Sequence, residues 1–150
     1  MIKKVNILNK KAKFEYELLD QYSAGIVLTG TEIKSIRDGK TSISDSFCEF
    51  NDLGELFIIN MFIDEYLFGN QFNHQTRSQR KLLLNKNELK KLLKEVRNTG
   101  LTIIPLKVFI SENGFAKILI SLAKGKKTYD KRHAIKNREN KIQLDRLKKK

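Results

Sequence analysis

Ile103-Ile104-Pro105-Leu106-Lys107-Val108-Phe109-Ile110-Ser111-Glu112-Asn113-Gly114-Phe115-Ala116-Lys117-Ile118-Leu119-Ile120-Ser121-Leu122 reads as two strand-forming runs, 103–110 and 116–122. Between them Glu112-Asn113-Gly114 has the composition of a tight turn, so the stretch predicts a β-hairpin. The same logic applies upstream. Ser46 to Phe50 and Leu56 to Ile63 are strand-like and flank Asn51-Asp52-Leu53-Gly54, which predicts a second hairpin. From Phe14 to Leu28 aromatic and branched residues alternate with polar ones, as in half-buried strands with Gly25 at a bend or bulge.

Two helices interrupt the strands. Thr31-Glu32-Ile33-Lys34-Ser35-Ile36-Arg37 spaces Ile33 and Ile36 three apart, with Thr31 able to cap and Gly39 placed to end the turn. Leu89, Leu92, Leu93 and Val96 recur at i, i+3, i+4 and i+7; Asn85 and Glu88 stand at capping-box spacing and Gly100 beyond the end. Short strands, tight turns and two or three helices together predict a mainly β fold, a small antiparallel barrel of the oligonucleotide-binding type. A sandwich has a similar pattern. The barrel domain is placed at residues 1–123, and 124–150 form a basic tail.

Charge separates the two parts. The 150-residue chain has 30 Lys+Arg against 17 Asp+Glu, a net charge of +13. Twelve of those bases and three of those acids lie from Ala123 to Lys150, a net of +9, so the other 122 residues carry 18 bases against 14 acids. A mildly basic domain with a strongly basic arm suits a polyanion whose phosphates are met along a groove, although a membrane surface attracts such an arm too. In the arm, Ile135 and Ile142 share a helical face while Leu144 and Leu147 fall round from it. Without a broad apolar stripe the expected free state is disordered, with helix forming on a partner.

Several classes are disfavoured. The longest apolar runs are too short to span a bilayer, and the basic start has no apolar run or cleavage site after it, so a cytoplasmic, membrane-free protein is expected. Cys48 is alone and reads as a buried apolar residue, with no metal-ligand spacing around it. His74 sits in a polar loop where local hydrogen bonding or a ligand contact explains it, and His133 lies in the arm, where phosphate or base contact is the better use. No nucleophile, base or metal site has catalytic spacing, so neither catalysis nor a cofactor is expected. Within Ala123 to Arg132 are five bases, Gly125, which lets backbone approach a phosphate, and Tyr129, a face for stacking. Glu32 either accepts from base amino groups or pairs internally with Lys34 or Arg37.

In order along nearly the whole chain stand Leu8-Asn9-Lys10-Lys11-Ala12, Ala24-Gly25-Ile26, Gly30 to Arg37, Gly39-Lys40, Asp45-Ser46-Phe47, Gly69-Asn70, Asn73-His74, Arg80-Lys81-Leu82-Leu83-Leu84, Gly100 to Leu106, Ala123 to Lys127 and Tyr129-Asp130-Lys131-Arg132. This ordered set resembles the small protein B (SmpB) family. The resemblance implies an oligonucleotide-binding-like barrel that binds the tRNA-like domain of transfer-messenger RNA (tmRNA). It also implies delivery of that RNA to stalled ribosomes, where the nascent chain is tagged for proteolysis. By that likeness the RNA-binding residues are Asn9, Lys10, Lys11, Glu32, Lys34, Arg80, Lys81, Leu83, Asn85, Lys124, Gly125, Lys126 and Lys127. Tyr129, Asp130, Lys131, Arg132, Ile142 and Leu147 belong to a tail that meets the decoding region and message channel. The family usually has proline at 76 and arginine at 78; this chain has Thr76 and Ser78 with Arg77 between them. The competing reading is a generic single-strand RNA-binding barrel, such as an RNA chaperone or ribosomal protein; a nuclease is the third. A monomer is expected in isolation.

Overall fold

The computed structural model describes residues 5–69 and 72–126; Lys127, the expected tail residues from Tyr129 to Leu147, and Asn70 lie outside them. The elements run β1 (Asn6–Leu8), α1 (Ala12–Glu15), β2 (Tyr16–Ile26), α2 (Gly30–Arg37), β3 (Thr41–Ser42), β4 (Phe47–Phe50), β5 (Leu56–Ile59), β6 (Phe62–Ile63), β7 (Arg80–Leu83), α3 (Lys86–Thr99), β8 (Thr102–Ile110) and β9 (Ala116–Gly125).

Every pairing is antiparallel, and the neighbours β8-β4-β5-β7-β2-β9 close on themselves because β9 also pairs with β8. This ring is the barrel the strand pattern predicts. Closing it leaves few open edges for another chain to pair with. Ile58, Leu82, Ile103, Val108, Ile118 and Ile120 fill it, and Ile36 of α2 and Leu92 of α3 enter the same core. Burying such side chains supplies most of the stability, at about 1.5–3 kcal/mol each. On β8, Pro105 has no N–H to give and stands beside a bulge between Pro105 and Lys107. There the strand changes neighbour, pairing with β4 at Ile103 and with β1 from Lys107 onward.

Both predicted hairpins form, as β4–β5 and β8–β9, with Gly54 and Gly114 at positive φ in their turns. Helix α3 is capped at Asn85 and ends on left-handed Gly100, as its sequence indicates. Four expectations shift. The cap of α2 is Thr29, which forms a full capping box with Glu32, whereas Thr31 lies inside the first turn. Phe14 belongs to α1, so the strand expected from 14 starts at Tyr16, and its irregularity falls between Leu18 and Gln21 while Gly25 pairs in register with Leu83 and Lys117. The run Leu56 to Ile63 breaks at Asn60, whose φ of 63° turns Phe62-Ile63 away to pair with β3. Asn is among the residues that tolerate that left-handed conformation, and here its Nδ2 also donates to the Asp45 carbonyl across the fold at 3.2 Å. Finally, β9 continues past the boundary placed at 123, with Lys124 opposite Glu17 and Gly125 opposite Tyr16.

Candidate RNA-binding faces

Strand β7 alternates, so Arg80 and Leu82 point into the barrel while Lys81 and Leu83 point out. Two residues expected to contact RNA, Glu32 and Arg80, are buried in the free chain. Arg80 and Glu32 are each only 3% exposed, and they pair with one another. The Arg80 guanidinium also donates to the carbonyls of Met61 (2.6 Å), Gln75 (3.1 Å) and Thr76 (3.3 Å), and the other Glu32 oxygen accepts the Thr29 N–H at 2.9 Å. The carboxylate and guanidinium thus hold each other and the backbone around them. Their work is to lock α2 and the 75–76 backbone to the barrel.

With α2 fixed, Lys34 and Arg37 are exposed on its outer side. Next to Arg37 a depression of about 520 Å³ is lined by Ile33, Leu83, Gly114, Phe115 and Lys117, among others. Leu83 is 52% exposed and Phe115 68%. Sequence reading missed Phe115, Lys117 and Arg37 as site residues. The signal for the first two was an aromatic and a base just beyond the Glu112-Asn113-Gly114 turn, but nothing local says that this hairpin ends beside β7. Asn85 is exposed close by in sequence, its Oδ1 capping α3 by accepting the Glu88 N–H at 2.9 Å. Lys81, facing outward, is held by Glu55. The Lys81 hydrogen bond, then that of Asn51, holds the Glu55 carboxyl below its ordinary range.

A second basic group forms where the chain leaves the barrel. Lys10 and Lys11 lie in the turn before α1, and Lys124 and Gly125 end β9. Lys126 ties the two together, its N–H donating to the Glu15 carbonyl (3.0 Å) and its ammonium to that of Lys13 (2.9 Å). Asn9 acts as a latch: its Nδ2 donates to Pro105 O at 2.9 Å and its N–H to Leu106 O at 2.8 Å. The expected RNA contacts therefore do not make one patch. Register puts Tyr16 against Gly125 at one end of β2 and Gly25 against Leu83 at the other, which separates the groups by up to about 30 Å.

The loop before β7 is also settled. Arg77, displaced from the family pattern, donates to Asn60 Oδ1 at 2.9 Å and lies 5.3 Å over the Phe62 ring. Both ring nitrogens of His74 are engaged, Nδ1 with Thr31 Oγ1 and Nε2 with the Ile63 carbonyl, each at 2.9 Å. Cys48 is buried, and burial pushes its thiol up. Among the described residues no group of three or more His, Cys, Asp or Glu is placed to hold a metal ion, and no helix is long and apolar enough to cross a membrane.

The family model described as SmpB protein matches residues 6–150. The chain belongs to the SmpB family. It is 66% identical over 149 residues to the SsrA-binding protein of Flavobacterium psychrophilum, covering 99% of each chain. To that of Sinorhizobium fredii it is 48% identical, covering 97% of this chain and 91% of the other. A solved chain described as "tmRNA-SmpB: a journey to the center of the bacterial ribosome" superposes with a TM-score of 0.70 at 45% identity, over 87% of this chain and 94% of that one. The mainly antiparallel fold expected from the strand pattern is thus also that of an SmpB family member.

Proposed function

We propose that this chain binds the tRNA-like domain of tmRNA and brings it to stalled ribosomes, as a non-catalytic protein of the bacterial cytoplasm. The observation that carries the RNA face is the cluster around α2. There Arg37 and Lys117 supply positive charge beside exposed Leu83 and Phe115, and Lys34 adds a further cation on the other flank of the same helix, so phosphates and an unstacked base are met together. SmpB family membership, and relatives that bear the name SsrA-binding protein, support the choice of RNA.

Lys10, Lys11, Lys124 and Lys126 stand at the far end of β2, where the chain continues into 127–150. We assign them, with the residues beyond, to the ribosomal side. Under this reading Glu32 and Arg80 act on RNA only through α2.

The test compares a tRNA-like tmRNA fragment with an unstructured oligonucleotide of equal length at fixed salt. A strong preference for the folded fragment is expected. Lys34→Ala combined with Lys117→Ala should weaken that binding and reduce the salt slope by roughly 0.7–0.9 per lost contact. Equal affinity for both RNAs would favour the generic single-strand binder instead.

A further inference from the structure

Between β6 and β7 three large apolar side chains stand in water: Leu67, Phe68 and Phe72 are 78%, 73% and 88% exposed. Single exposed apolar residues are ordinary. These three lie between Tyr66 and Asn73, and those two flanking residues are tightly held to one another. Asn73 clamps Tyr66 from both sides, its Oδ1 accepting the Tyr66 N–H at 3.0 Å and its Nδ2 donating to the Tyr66 carbonyl at 2.7 Å. A Cβ at Gly69 would lie 2.6 Å from Asn73 Nδ2 and 3.1 Å from Thr31 Cγ2, so glycine lets the segment close on both. His74, bonded to Thr31 and Ile63, fixes the base of the loop. Tyr66 and the Phe68 ring that meets it are therefore displayed on a preorganised support, which lowers the ordering cost of binding anything to them.

The loop lies along α2. Lys34 Nζ is 5.4 Å from the Tyr66 ring centroid, and Tyr66 meets Phe68 edge-to-face at 5.7 Å. Thr31 and Lys34 thus form the flank of α2 that touches this loop, while Ile33 and Arg37 form the flank that borders Leu83 and Phe115. The helix is a basic ridge between two apolar shelves. Cations that meet phosphates, with aromatic faces on either side for bases, suit an RNA strand crossing the ridge.

We infer that Tyr66, Phe68 and Phe72 form a second stacking shelf of the RNA face, taking an unpaired base of the same tmRNA molecule that the Leu83–Phe115 shelf engages. The inference rests on the tmRNA reading above. Lys34 belongs to both the ridge and the loop contact, so the loop continues the cationic face that meets RNA.

The experiment uses the full chain and full-length tmRNA. Phe68→Ala/Phe72→Ala should leave thermal unfolding unchanged, since both rings are exposed. It should weaken tmRNA binding by at least roughly fivefold, with the salt slope unchanged because no phosphate contact is lost. Phe68→Tyr/Phe72→Trp should bind like the parent. Lys117→Ala is measured in parallel. Full affinity of the double alanine variant with loss in Lys117→Ala overturns the second shelf and leaves the tmRNA reading standing. Full affinity of both overturns both. A photo-crosslinker at position 72 should mark tmRNA in the complex on the ribosome; crosslinks to a ribosomal protein or to a second copy of this chain instead would overturn the shelf.

Discussion

At the scale of residues, Glu32 and Arg80 have the most asymmetric energetics. Each is satisfied by the other and by backbone groups, so removing one leaves an uncompensated charge in the interior. Arg80→Met alone should therefore lower the unfolding free energy by about 3–5 kcal/mol. Glu32→Gln with Arg80→Met should recover part of that loss, because neither charge is then stranded. Urea unfolding of the two variants measures this, and equal losses would mean the pair does not act as a unit. That both side chains matter was legible in the sequence, but their pairing was not. Glu32 read as an RNA acceptor or a partner of Lys34 or Arg37 because those are its neighbours on the helix, whereas its partner lies 48 residues away on an inward position of β7.

At the scale of elements, the last residues of β9 belong to the barrel. Ala123, Lys124 and Gly125 pair with Leu18, Glu17 and Tyr16, and Lys126 bonds the Glu15 carbonyl. A chain cut after Lys126 keeps all of these and should unfold cooperatively near the parent's Tm. One cut after Leu122 exposes the edge of β2 and removes Ala123 from the small cluster it forms with Ala12 and Ile104. Its Tm should fall by several degrees, as a loss of 1 kcal/mol or more implies for a domain of this size. Identical melting of the two chains would show that the end of β9 adds nothing. The basic composition is what put the expected start of the tail at Lys124, which here pairs in β9. Charge does not prevent a residue from pairing when its backbone faces an open strand.

At the scale of the molecule, the two basic groups lie at opposite ends of β2, so they can be deleted independently. Removing 129–150 should leave affinity for the tRNA-like RNA close to that of the full chain and abolish tagging on a message without a stop codon. Affinity and tagging are measured on the same truncated protein. Loss of both would place the arm in the primary RNA site, and survival of tagging would remove it from the ribosomal role.

The sequence by itself determined the strand and hairpin pattern, the capped α3, the buried cysteine, the basic arm and the family resemblance. These depend on alternation, helical spacing, turn residues and ordered motifs, all of which act within a few positions or are read in order. Only the tertiary structure decided which expected residues are reachable. Closing the ring placed Lys117 and Phe115 beside Leu83, parted them from Lys10 and Lys124, and turned Arg80 inward. In a strand each successive side chain changes face, so a residue's access to a partner depends on register between segments far apart in the chain. Local sequence does not carry that register.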